Sequence, residues 1–154
     1  MKLLGFDFNA GRLDVSAHPF CGGVPQDVRI TTRYKSDEFI SAMMGVIHET
    51  GHARYEQNLP QQWADQPVAL ARSTAIHESQ SLFFEKQPGR SPAFLSLIQP
   101  LAVQLLGDRP GMETTNFIAP NQRGKPGLTR VGADAVTYPA HVIRRYAIDR
   151  ALTA

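Results

Sequence analysis

Cysteine is all but missing from this 154-residue chain. Cys21 stands alone, so no internal disulfide can form and nothing points to an oxidising compartment. Long apolar runs are missing as well; none approaches the roughly 18 residues of a membrane-spanning helix. Charge of one sign is scarce: 16 Lys and Arg face 14 Asp and Glu, a net +2, too small an excess to suggest a nucleic acid or an anionic membrane as partner. The opening Met1-Lys2-Leu3-Leu4-Gly5-Phe6-Asp7 meets an acidic residue too early to build the apolar core of a signal peptide. Internal repeats and low-complexity tracts are lacking too. With 42% hydrophobic and 19% charged residues, the chain has the balance of a globular protein rather than a disordered one. A soluble, cytoplasmic protein is expected, with no nucleic-acid and no membrane partner.

What is present is mostly helical patterning. Residues 1 to 35 are rich in turn formers, and within them Asp27–Tyr34 alternates Val28 and Ile30 with charged neighbours, which predicts one short strand, in a hairpin after the Gly22-Gly23 turn. Ser36 is placed to cap a helix whose first turn would hold Asp37 and Glu38. Its apolar positions Phe39, Ile40, Met43, Met44 and Ile47 carry it to about Gln57. A second helix is expected from about Ser73 to Lys86, and a third from the Ser91-Pro92 cap, broken or kinked at Pro100 and ended by Gly107. Residues 107 to 127, dense in Gly and Pro, read as a long loop. The last helix is expected over 134 to 152, with a kink at Pro139. The fold class is therefore mainly α, a helical core with a short strand or hairpin near the N-terminus.

The chemistry lies on the first of these helices. His48-Glu49-Thr50-Gly51-His52 is an H-E-x-x-H segment, and residues four apart on a helix sit one turn above each other, so both imidazoles can face one Zn²⁺. Glu49 is turned about 100° from His48. It can thus flank the metal without binding it and act as the base toward a water molecule. Gly51 removes a side chain beside the metal. A catalytic zinc site needs a third protein ligand and an open position. Spacing leaves Glu78, His77, Glu85 and His141 as candidates, with Glu78, on the next helix, placed first and His77 next.

In chain order, His18-Pro19-Phe20, Asp27-Val28-Arg29-Ile30-Thr31, the H-E-x-x-H segment and Ile76-His77-Glu78-Ser79-Gln80 resemble the M32 family of metallocarboxypeptidases. Thr129-Arg130-Val131-Gly132-Ala133-Asp134 is similar to the family's next motif, although Gly132 and Ala135 stand where acidic residues are expected. The resemblance implies a mainly helical fold, a zinc or cobalt ion, and removal of C-terminal residues from peptides. It implies His48, His52 and Glu78 as metal ligands and Glu49 as base.

The match is to the family's central catalytic block. Residues 1–154 are therefore expected to form a single truncated domain, without the helical part ahead of His18-Pro19-Phe20 and without the late Gln-Asp and His-Trp motif. A carboxypeptidase must also hold a terminal carboxylate, for which Arg29 and Arg130 are the candidates. His77 is a candidate to orient Glu78 or to contact substrate. Tyr138 and His141 are candidates to donate to the oxyanion, with helix packing as their plainer role. Apolar faces on the helices near 75–84 and 136–148 are expected to be covered in a homodimer. Two alternatives stand beside the carboxypeptidase: a zinc endopeptidase, and a metal-binding remnant with little turnover.

Overall fold

A computed structural model describes residues 1–130 and 132–154. Val131 of the Thr129–Asp134 motif lies outside the described residues. The chain separates into two compact units, Met1–Gly89 and Arg90–Ala154. Among the described residues no helix is long and apolar enough to cross a membrane.

The first unit opens with a small sheet of β1 (Gly11–Val15), β2 (Phe20–Val24) and β3 (Asp27–Thr32), in the order β1-β3-β2. The expected strand is β3, the central one, and it pairs parallel with β1 and antiparallel with β2. Val28 and Ile30 on its inner face join Phe6 and Ala53 in a buried core. The hairpin exists, but its turn is not the Gly-Gly pair. Gly22 and Gly23 lie inside β2, and the chain reverses at Pro25-Gln26. Gly23 has φ 114°, and a Cβ there would stand 2.2 Å from the carbonyl oxygen of Asp27, so the position needs glycine because two strands meet there.

Two helices complete this unit: α1 (Phe39–Gln57) and α2 (Thr74–Lys86). The α1 helix begins two residues later than the Ser36 cap predicts. Lys35 and Glu38 close a turn through a 2.8 Å ion pair and a backbone hydrogen bond, and Glu38 takes the cap position. The α2 helix starts where expected, and the Ser73 hydroxyl caps it by accepting from the Ile76 amide. Between the helices, the 60–72 connection is two short 3₁₀ turns, Gln61–Trp63 and Pro67–Ala69.

The second unit holds α3 (Pro92–Leu106), α4 (Thr114–Gln122) and α5 (Tyr138–Thr153). Ser91 caps α3 by accepting from the Phe94 amide, and Pro100 is accommodated within the helix. The Gly- and Pro-rich 107–127 segment is not one loop. The α4 helix forms inside it because Phe117 and Asn121 are buried, and Arg90 donates to the Asn121 carbonyl. Pro139 does not kink α5. It lies in the first turn, where its missing N–H breaks no helical bond, and the preceding turn is held by Asp134, whose carboxylate accepts from the Val136 and Thr137 amides.

Candidate metal centre

The residues of the H-E-x-x-H segment meet α2 at close range, and glycine permits it. A Cβ on Gly51 would stand 2.6 Å from both the Gln80 carbonyl oxygen and the Ser81 Cα. Ser81 itself is fully buried. With the backbones this close, Glu78 reaches across. Its Oε2 lies 3.3 Å from His52 Nε2 and 3.7 Å from His48 Nε2. One ligand atom from each of the three residues falls within 4.8 Å of the others. Bonds of about 2.0–2.2 Å at tetrahedral angles put neighbouring ligand atoms about 3.3–3.6 Å apart, so the spacing suits a first-row metal ion. Two imidazoles and a carboxylate also form a donor set suited to zinc.

The side chains of this candidate site are held from behind. Glu85, on the last turn of α2, places Oε2 3.0 Å from His48 Nδ1, while its Oε1 meets Lys86 Nζ at 2.8 Å. Burial pushes the Glu85 carboxyl upward, but the hydrogen bonds from His48 and Lys86 outweigh this and hold it down at about 2. Burial alone would lower the His48 pKa; the Glu85 hydrogen bond and the fields of Glu85, Glu78 and Glu49 raise it instead. His77, expected to orient Glu78, is engaged by His52 and Glu56. Its Nδ1 is 2.7 Å from His52 Nδ1 and its Nε2 is 2.6 Å from Glu56 Oε1.

Glu49 points into an open cleft of about 580 Å³, walled by Phe20, Cys21, His52, Arg72 and His77 among others. It is only 7% exposed. Burial raises its pKa and Glu78 adds to that; the fields of His48 and His52 oppose it without cancelling it. Its carboxylate is thus a stronger base than an ordinary glutamate. Cys21 is no nucleophile here, since burial, with Glu49 and Glu56, pushes its thiol up to about 12.

The two N-terminal motifs act on each other. Thr31 Oγ1 accepts from the Phe20 amide at 3.1 Å and donates to the His18 carbonyl at 3.0 Å, which ties His18-Pro19-Phe20 to β3 and sets Phe20 in the cleft wall. Pro19 rests on α1 at Gly45, where a Cβ would be 3.7 Å away. Arg29 is exposed and doubly bonded to Asp27, with its closest contact at 2.7 Å. In the second unit, Arg130 donates to the Tyr138 hydroxyl at 2.7 Å, and His141 Nε2 is 3.0 Å from the Gly127 carbonyl. Composition and spacing did not single out Glu56 or Arg72, and had named Glu85 only as an alternative ligand.

A helix carrying H-E-x-x-H, crossed by a second helix that lends a carboxylate, is the arrangement of a metallopeptidase. All of the chain, residues 1–154, matches the family described as carboxypeptidase Taq (M32) metallopeptidase. The chain belongs to that family. It is 40% identical to carboxypeptidase 1 of Bacillus subtilis over 158 aligned residues, covering 99% of this chain and 31% of that protein. It is 42% identical to thermostable carboxypeptidase 1 of Thermus thermophilus, covering 99% of this chain and 30% of the other. Among solved structures, Trypanosoma cruzi metallocarboxypeptidase 1 superposes with a TM-score of 0.90 at 53% identity, over 97% of this chain and 30% of that one. The chain therefore spans less than a third of the length of these relatives.

Proposed function

We propose that residues 1–154 act as a single truncated M32 catalytic block, a zinc-dependent metallocarboxypeptidase that removes C-terminal residues from peptides. The observation that carries this is the convergence of His48 Nε2, His52 Nε2 and Glu78 Oε2 beside the buried Glu49. The family implies a divalent metal. The donor set favours Zn²⁺, with Co²⁺ able to take the same ligands. Bound there, the ion would supply Lewis-acid polarisation and lower the pKa of the attacking water to about 7.

The protein's own groups do the rest. Glu49, made more basic by burial, accepts the proton of the attacking water and then returns it to the leaving amine. Arg29 or Arg130 would hold the terminal carboxylate through a paired hydrogen bond. Arg29 would have to exchange Asp27 for substrate. Arg72 is a third cation for this task, supported by its place in the cleft wall. Tyr138 and His141 are read as donors to the oxyanion, a role in which they would exchange their present partners for substrate.

Self-association belongs to the same reading. Ile76 and Phe83 of α2, and Val142, Ile143, Tyr146 and Ile148 of α5, are exposed. Apolar faces of this kind are read as the contact in a homodimer.

The test is a peptide assay on zinc-loaded protein, read by mass spectrometry. Stepwise loss of residues from free C-termini, with C-terminally amidated peptides resistant, is the expected result. Equal cleavage of amidated peptides at internal bonds would replace the carboxypeptidase reading with an endopeptidase.

A further inference from the structure

The imidazoles of His48 and His52 both turn Nε2 toward Glu78, and each meets a different partner at Nδ1. A neutral imidazole carries one N–H, and its partner at one nitrogen decides which nitrogen keeps a lone pair. From the hydrogen bonds behind the ligands, we propose that Glu85, and His77 together with Glu56, are positioning residues. They fix His48 and His52 as Nδ1–H tautomers and so present both Nε2 lone pairs to the metal. This rests on the ligand assignment made under Proposed function.

For His48 the reasoning has one step. A carboxylate only accepts, so Glu85 Oε2 at 3.0 Å obliges His48 Nδ1 to donate. Lys86 Nζ, 2.8 Å from the other oxygen, holds the carboxylate in place.

For His52 it has two. Nδ1 of His52 and Nδ1 of His77 are 2.7 Å apart, so one must donate and the other accept. Glu56 decides between them. Its Oε1, 2.6 Å from His77 Nε2, can only accept, so the N–H of the His77 ring sits on Nε2 and the lone pair on Nδ1. His52 must then donate from Nδ1. Tyr55 packs edge-on against His77 with ring centroids 5.0 Å apart, which limits rotation of the relaying ring.

These contacts are not surface decoration: the side chains of Glu85, His77 and Glu56 are 14%, 22% and 22% exposed. Helical spacing explains how they arise. Glu56 lies one turn beyond His52 on α1, and Glu85 lies two turns beyond Glu78 on α2. Each ligand histidine therefore has an anion behind it, reached directly for His48 and through a second ring for His52. Such partners raise ligand basicity, and their loss costs about 10- to 100-fold in metal affinity.

The experiment is two-bond ¹H–¹⁵N correlation of the histidine rings at mildly alkaline pH. It is paired with competition of Zn²⁺ against a chelator. In zinc-free parent protein His48 and His52 should show the Nδ1–H pattern and His77 the Nε2–H pattern. Glu56→Gln should disturb the His77 and His52 patterns, Glu85→Gln that of His48, and each should weaken Zn²⁺ binding about 10- to 100-fold. An Nε2–H pattern for His52 or His48 in the parent overturns the proposal, as does parent-like zinc affinity in both variants. If a variant does not fold, the parent spectrum decides alone. If the parent protein does not bind zinc, the ligand assignment fails, and the zinc-free spectrum still judges the tautomers.

Discussion

Gly51 and Ser81 bring α1 and α2 closer than any residue with a side chain at position 51 would allow. A Cβ on Gly51 would lie 2.6 Å from the Ser81 Cα. That approach places Glu78 opposite the two histidines, and the Ser81 hydroxyl, 2.7 Å from the Glu78 carbonyl oxygen and 3.2 Å from its Oε2, steadies the carboxylate there. The geometry of the candidate metal site thus depends on a helix contact as much as on His48, His52 and Glu78 themselves.

Gly51→Ala should force the two backbones apart. Overpacking of this kind costs about 1–3 kcal/mol, and the displaced Glu78 should also weaken zinc binding. Urea unfolding and zinc titration on the same protein check both effects. A variant as stable as the parent, with unchanged zinc affinity, would show that the helices have room to spare.

Glu49→Gln should keep the metal and lose hydrolysis by about 10²-fold or more, because the amide preserves shape but cannot accept the proton. Zinc content measured beside peptide turnover separates the two roles. Equal turnover at equal zinc content would remove Glu49 from the chemistry.

Asp134 should stabilise the start of α5 in a pH-dependent way. Hydrogen bonds from the Thr137 amide, then the Val136 amide and the Thr137 hydroxyl, hold its carboxyl below the ordinary range against a smaller opposing effect of desolvation. A depressed folded-state pKa gives stability that is present above the ordinary aspartate value of about 3.9 and is lost as pH falls through the lower folded value. Asp134→Ala should therefore melt below the parent at neutral pH, and the gap should close in acid. A gap that stays constant with pH would mean that the carboxylate is not what holds the turn.

Self-association through the exposed apolar positions of α2 and α5 should give a dimer mass by light scattering at micromolar concentration. A monomer under those conditions would mean that these faces tolerate water.

Local signals carried much of this into the sequence. The Ser91-Pro92 cap announces a helix because the bond it makes is within one turn, and H-E-x-x-H encodes its own geometry through helical spacing. Elements that depend on distant partners were not legible. The α4 helix forms in a Gly- and Pro-rich stretch because Phe117 and Asn121 find burial. The β1 and β2 strands are recruited by β3, and β2 contains two glycines that by propensity mark a turn. Glu56 could have been found, since an acid four residues after His52 shares its helix face. The part His77 plays in joining them depends on the packing of α2 against α1.

Zinc binding by the Glu78→Ala protein is the most direct test of the metal centre. The parent should bind about one Zn²⁺ per chain, as a two-His, one-carboxylate site requires, and Glu78→Ala should bind far more weakly while keeping its helical content. Parent-like zinc affinity in that variant would contradict the assignment and place the third ligand elsewhere.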